Sequence, residues 1–146
     1  MVFFFSQVHR GKFDNIDVAI KSAKSLTSFG TIEHAGQSQD EEIYKTLIEG
    51  LLREARLFSI LTHRNIIQLF GVSPSPQSRN LYLVMEYARG GALSDVLQQR
   101  KSGLYPRVFI HYAMQIADGM KYLHDEASEH IIHRDLKCSN SKLSNT

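Results

Sequence analysis

One carboxylate stands where the surrounding pattern asks for an apolar side chain. Ile43, Leu47, Leu51, Phe58 and Leu61 fall along one line of a helix turning about 100° per residue, and Glu54 falls on the same line. An ionised carboxylate inside such a stripe is costly unless a cation or hydrogen-bond donors meet it. Lys21, closing the β-favouring run Val18, Ala19, Ile20, is a candidate cation. A Glu54 turned outward to solvent is the competing arrangement, and these two residues alone leave both open. Other reactive side chains promise less. His9, His34, His63, His111, His124 and His130 lack metal-ligand spacing, and Cys138 reads as a plain small side chain rather than a reactive thiol.

The elements that must carry Lys21 and Glu54 follow from local pattern. Two short strands are predicted between Val8 and Lys21, with turn chemistry at Gly11–Asn15. From Ser22 to Gln39 Ser, Thr, Gly and Gln are frequent and no apolar period is sustained, which predicts a long loop. Ser38 and Glu41 have capping-box spacing ahead of the Glu54 helix, and Asp40, Glu41 and Glu42 suit the positive end of its dipole. Ile66–Val72 and Leu81–Tyr87 are strand candidates joined by a long turn. A short helix is predicted from Ala92 to Lys101, stopped by Gly103, and a longer one from Pro106. The second carries Phe109, Tyr112, Ala113, Ile116, Met120 and Leu123, widened by Ile110 and Ala117, so it calls for cover on more than one side.

Composition narrows the class. The chain has 146 residues, 17 Lys+Arg against 15 Asp+Glu, and a formal charge of +2. So even a balance makes neither nucleic acid nor an acidic membrane the expected partner. Its 42% hydrophobic and 22% charged residues suit one ordinary core. One cysteine excludes an internal disulfide framework and fits a reducing compartment. The apolar start Met1–Phe5 lacks a basic flank and is too short for a signal-peptide core. No run approaches the roughly 18 apolar residues of a membrane-spanning helix. A soluble, cytoplasmic protein is expected.

A second constellation bears on Glu54. The run His133, Arg134, Asp135, Leu136, Lys137, Cys138, Ser139, Asn140 resembles the catalytic loop of eukaryotic protein kinases, and Val18-Ala19-Ile20-Lys21 resembles the family's strand-borne lysine motif. The resemblance covers about Val8 to Asn140. The strings RNIIQLFGV, LYLVMEYARGGAL, QIADGMKYLHDEA and IIHRDLKCSN are most similar to mixed-lineage kinases of the tyrosine-kinase-like group. It implies an α+β, kinase-like fold, incomplete within this chain. Residues 1–87 would form an amino-terminal lobe of antiparallel sheet and one helix, with a loop insertion at about 22–39. Residues 88–91 would be the hinge, 92–140 the start of the carboxyl-terminal lobe, and 141–146 a divergent tail.

The resemblance also implies roles. Lys21 would contact the α- and β-phosphates of ATP and pair with Glu54. Val8 and Ala19 would pack on the adenine face, Met85 would guard the back of that pocket, and Glu86 and Ala88 would offer backbone groups to the adenine edge. Asp135 would accept or orient the substrate hydroxyl proton, Lys137 would steady the transferring phosphoryl charge, and Asn140 would hold Mg²⁺. Lys137 two residues after Asp135 resembles the serine/threonine form of the loop. A protein substrate, specifically a MAP kinase kinase, is implied.

The departures matter equally. The phosphate-loop glycines are replaced by Met1, Phe3 and Ser6, with only Phe5 and Val8 of the expected type. Side chains there obstruct the close backbone approach that phosphates need. After Asn140 the chain reads Ser141, Lys142, Leu143, Ser144, Asn145, Thr146, without the apolar strand pair expected there and without the Asp-Phe-Gly that supplies the second Mg²⁺ ligand. A serine/threonine kinase fragment of a MAP kinase cascade, itself inactive, is therefore expected. The alternatives are a non-catalytic fragment that associates with a kinase partner or scaffold through exposed apolar surface, and an incomplete gene product.

Overall fold

The computed structural model describes residues 6–23, 37–75, 80–100 and 103–144. These fall into two compact units, one drawn from Met1–Ser59 and Leu69–Glu86, the other from Ile60–Gln68 and Tyr87–Thr146.

The first unit is a four-stranded antiparallel sheet and one helix. The strands are β1 (Ser6–Phe13), β2 (Ile16–Ala23), β3 (Leu69–Pro74) and β4 (Leu81–Glu86), in spatial order β1-β2-β4-β3. Strands β1 and β2 are joined by Asp14 and Asn15, whose φ values of 46° and 64° form the primed two-residue turn that matches strand twist. The turn is thus shorter than the Gly11–Asn15 stretch expected from sequence. Gly11 lies inside β1 opposite Val18, where a Cβ would sit 2.3 Å from Ile20 Cδ1, so a larger residue there would require the Ile20 side chain to move. Strand β2 runs on to Ala23, and the remainder of the expected loop, 24–36, lies outside the described residues.

Helix α1 (Gln37–Ser59) passes through Gly50 without interruption. The side chains of the proposed Ser38–Glu41 capping box lie outside the described residues. Leu51 and Ala55 are buried, whereas Ile43 is 47% exposed, so the apolar stripe is shorter than expected at its start. It is shorter at its end too. Ser59 Oγ donates to the Arg56 carbonyl at 2.8 Å, satisfying one of the last orphan acceptors. The helix stops there, and buried Leu61 groups with the second unit. Ile66–Gln68, expected to begin a strand, likewise belong to the second unit, and β3 starts at Leu69.

The second unit holds a two-residue strand β5 (Gly91–Ala92), helix α2 (Leu93–Gln99), helix α3 (Pro106–Lys121) continued by a wider π-helical turn at Tyr122–Glu126, and strand β6 (Lys142–Leu143) paired antiparallel with β5. Gly103, at φ 77°, donates its N–H to the Arg100 carbonyl just past α2. Pro106 opens α3 with the fixed φ that suits a first helical turn. Residues 141–146, read from sequence as a divergent tail without the expected strand pair, supply β6. The pairing works through backbone. Gly90 N–H donates to Leu143 O at 2.7 Å, and a Cβ on Gly90 would lie 2.7 Å from Leu143 Cβ and from that same oxygen.

Candidate functional site

Sheet register places the first set of candidate residues. Directly opposite residues of antiparallel strands share a face, as do residues two apart on one strand. Val8 opposes Lys21, Ala19 opposes Met85, and Met85 also opposes Leu69, so Val8, Ala19, Lys21 and Met85 share one face of the sheet. Helix α1 packs against that face, and Lys21 Nζ meets Glu54 Oε1 at 2.5 Å. The two side chains retain 20% and 28% exposure. Glu54 therefore turns inward, and the misfit in the helical stripe is answered by the ammonium on β2. Ala19 and Met85 are buried around the pair, whereas Val8 is 59% exposed at the edge strand. Glu86 closes β4 opposite Val18. Met1, Phe3 and Phe5 lie outside the described residues.

Sequence reading missed a second acid on this sheet. Asp17, with only 6% of its side chain exposed, accepts from Arg10 Nη2 at 2.9 Å and Nε at 3.3 Å, and lies 3.1 Å from Lys12 Nζ. Hydrogen bonds from Arg10 and then Lys12 hold its pKa down at about 2, against the desolvation that would raise it. The signal was present in Asp14-Asn15. A two-residue turn there forces Lys12 opposite Asp17, whereas a five-residue turn hides the pairing.

In the second unit the run His133–Asn140 is irregular, and it is held from two sides. Helix α2 has no side-chain cap at Ala92. Its first N–H groups go instead to this loop, Leu93 to Ser141 O at 2.9 Å and Ser94 to Cys138 O at 3.2 Å. Within the loop, Asp135 N–H donates to His133 Nδ1 at 3.3 Å, and Arg134 between them takes φ 61°, a left-handed conformation that a side chain adopts only under constraint. Asp135 Oδ2 accepts from Lys137 Nζ at 2.9 Å and from Asn140 Nδ2 at 2.6 Å, and Asn140 Nδ2 also reaches Asp135 O at 3.0 Å. The Lys137 ammonium is the main reason the Asp135 carboxyl lies below its ordinary pKa, with Asn140 adding to it and desolvation opposing. The result is an anion whose one oxygen is met by both an ammonium and an amide donor.

That donor set suits part of a Mg²⁺ site. With Nδ2 committed to Asp135, Asn140 retains Oδ1, the kind of neutral oxygen a hard cation takes. No group of three or more His, Cys, Asp or Glu side chains among the described residues is placed to hold a metal by itself. Ala88, the other backbone candidate, accepts Gly91 N–H at 3.2 Å in the turn before β5.

A further polar cluster, also unforeseen, ties the segment after α1 to α3. Asp118 Oδ2 accepts from Arg64 at 3.1 Å and Asn65 Nδ2 at 2.8 Å and lies 3.6 Å from His63 Nε2, while His63 stacks on Tyr122 at 4.7 Å. These residues sit more than 50 positions apart in sequence, so no local signal joins them. A 590 Å³ open cavity lies beside the cluster. An apolar one of 420 Å³ is lined by α2, α3, Leu136 and Cys138. Among the described residues no helix is long and apolar enough to cross a membrane.

Comparison with known proteins shows the family of the chain. The family described as protein tyrosine and serine/threonine kinase matches residues 4–145. The chain is 43% identical over 136 residues to a mitogen-activated protein kinase kinase kinase of Drosophila melanogaster, covering 93% of this chain and 10% of that protein. It is 44% identical over 139 residues to mitogen-activated protein kinase kinase kinase 11 of Homo sapiens, covering 95% and 14%. With mitogen-activated protein kinase kinase kinase 10 of Mus musculus it shares 43% over 136 residues, covering 93% and 13%. The chain therefore spans between a tenth and a seventh of the length of these relatives. With the family matched over nearly its whole length, the chain belongs to the protein tyrosine and serine/threonine kinases.

Proposed function

We propose that this chain is part of a serine/threonine kinase of mixed-lineage type, which transfers the ATP γ-phosphoryl group to a protein hydroxyl, with a MAP kinase kinase as substrate and the cytoplasm as its compartment. The observation that carries the proposal is the Lys21–Glu54 pair, because a lysine held by a helix carboxylate presents its charge in one fixed direction. Mg²⁺-bound ATP would supply the transferable group and the cation that neutralises it. In this reading Lys21 binds the α- and β-phosphate oxygens, Ala19 and Val8 pack the adenine face, Met85 limits the pocket behind it, and Glu86 and Ala88 present backbone groups to the adenine edge. Asp135 orients the substrate hydroxyl and takes its proton, Lys137 stabilises charge on the phosphoryl oxygens, and Asn140 ligates Mg²⁺. The lowered pKa of Asp135 keeps it ionised for that task.

These 146 residues contain no Asp-Phe-Gly after Asn140. We therefore expect the polypeptide on its own to bind nucleotide weakly and to phosphorylate nothing measurable. An ATP-derived acyl phosphate that labels nearby lysines tests the site. Mass spectrometry should find Lys21 labelled and protected by excess ATP. Labelling spread over surface lysines and indifferent to ATP would remove the kinase assignment of Lys21. A radiolabelled phosphotransfer assay with ordinary turnover, lost in Asp135→Asn, would overturn the expected inactivity.

One observation favours a second reading, a fragment that associates through apolar surface. Phe109, Ile110 and Met114 on α3 are 60%, 56% and 65% exposed, a wide patch for a helix of a folded unit. Gel filtration separates the two readings. Concentration-dependent association that Met114→Lys abolishes favours docking, and a monodisperse monomer opposes it.

A further inference from the structure

His124 and His130 carry no metal-ligand spacing in the sequence, yet the fold sets them side by side. The α3 helix widens into the π-helical turn at Tyr122–Glu126, a distortion that recurs at functional sites. The chain then doubles back. Ile131 N–H donates to Leu123 O at 2.9 Å and Ala127 N–H to Tyr122 O at 2.8 Å, closing a loop anchored by buried Leu123. The next pair inward from Leu123 and Ile131 is His124 and His130. Their ring centres lie 5.9 Å apart at a 34° tilt.

The proton arrangement of His130 follows from its partner. His130 Nδ1 bonds the His124 carbonyl oxygen, which can only accept, so Nδ1 carries the hydrogen and, in the neutral ring that a metal binds, Nε2 holds the lone pair. Donation of one ring nitrogen to a backbone carbonyl is the support that metal-binding histidines use to fix tautomer and orientation. The ring spacing is also suitable. Zn–N bonds of about 2.0–2.1 Å put two imidazole centres on one ion roughly 5–6.5 Å apart. The neighbouring carboxylate of Glu126 is already paired with Lys121, whose pKa that contact raises, so it does not neutralise the site.

We propose that His124 and His130 form a two-imidazole site for a borderline divalent transition-metal ion such as Zn²⁺, with solvent completing the coordination sphere. Imidazole nitrogen suits this class of ion, whereas Mg²⁺ and Ca²⁺ prefer oxygen. Occupancy cross-links the loop that leads into His133–Asn140 and stabilises it by mass action. The site is independent of the nucleotide reading above.

Calorimetric titration of the 146-residue chain with Zn²⁺ tests it. One binding event is expected. His124→Gln and His130→Gln should each weaken it at least tenfold, and the double variant should be no weaker than either single one, because one remaining imidazole cannot chelate. His111→Gln should leave it unchanged. Single-variant affinities within twofold of the unsubstituted chain, or losses that add, would overturn the proposal. An NMR titration of the unsubstituted chain avoids any folding defect of the variants. The ring signals of His124 and His130 should respond together at the lowest Zn²⁺ concentrations. Response of other histidines first would contradict the site.

Discussion

Lys137 Nζ lies 2.9 Å from Asp135 Oδ2, on the same oxygen that accepts the Asn140 side-chain amide. One carboxylate oxygen therefore gathers both other members of the loop. Because the ammonium is the largest cause of the lowered Asp135 pKa, Lys137→Met should raise it toward the ordinary carboxylate value. Carboxyl-carbon NMR titration reads this directly, and an unchanged midpoint would show that Lys137 does not act on Asp135 in solution.

Asp17 makes the first unit acid-sensitive. Its pKa is about 2 in the fold against 3.8 for the free group, so its contribution to stability is complete above about pH 4 and is lost as pH falls toward 2. Urea unfolding of Asp17→Asn should show a lower midpoint than the unsubstituted chain at pH 7 and a converging one near pH 2. Parallel curves across that window would contradict the prediction.

Gly90→Ala should break the β5–β6 pairing, because the added carbon lands 2.7 Å from Leu143 backbone and side chain. Overpacking of this kind costs about 1–3 kcal/mol. Hydrogen exchange at the Gly90 and Leu93 amides should accelerate. Unchanged protection would mean that the strand pair does not hold the end of the His133–Asn140 loop.

How much of this was legible in advance depended on whether the controlling interaction was local. Glu54 announced itself because a charge interrupts a 3.6-residue period, and the Asp135–Asn140 run announced itself as a motif. The Arg10–Asp17–Lys12 cluster stayed hidden behind a turn read three residues too long, which displaced the register. The helix end was misjudged because apolar periodicity does not encode where a helix stops, and α1 ends at Ser59, whose hydroxyl bonds the Arg56 carbonyl. Strand β6 was missed because it pairs through backbone against glycine, with nothing required of its side chains. The Asp118 cluster and the His124–His130 pair exist only after folding has brought them together.

Nucleotide affinity should depend little on Mg²⁺, since Asn140 is the sole member of the expected ligand pair in these 146 residues. Calorimetry with ATP, with and without Mg²⁺, should give dissociation constants within about threefold, less than 1 kcal/mol. A strong enhancement by the cation would mean that other oxygens of the chain complete the site.

The most direct measurement is a double-mutant cycle on Lys21 and Glu54, read by ATP binding. Lys21→Met and Glu54→Gln should each weaken binding by about 1.5–3 kcal/mol, the scale of a charge-assisted hydrogen bond, and the double substitution should cost no more than Lys21→Met alone. Circular dichroism of each variant confirms the fold. If Glu54→Gln binds ATP as tightly as the unsubstituted chain, or if the two losses simply add, then the helix carboxylate does not aim the lysine and the proposed kinase-type site is wrong.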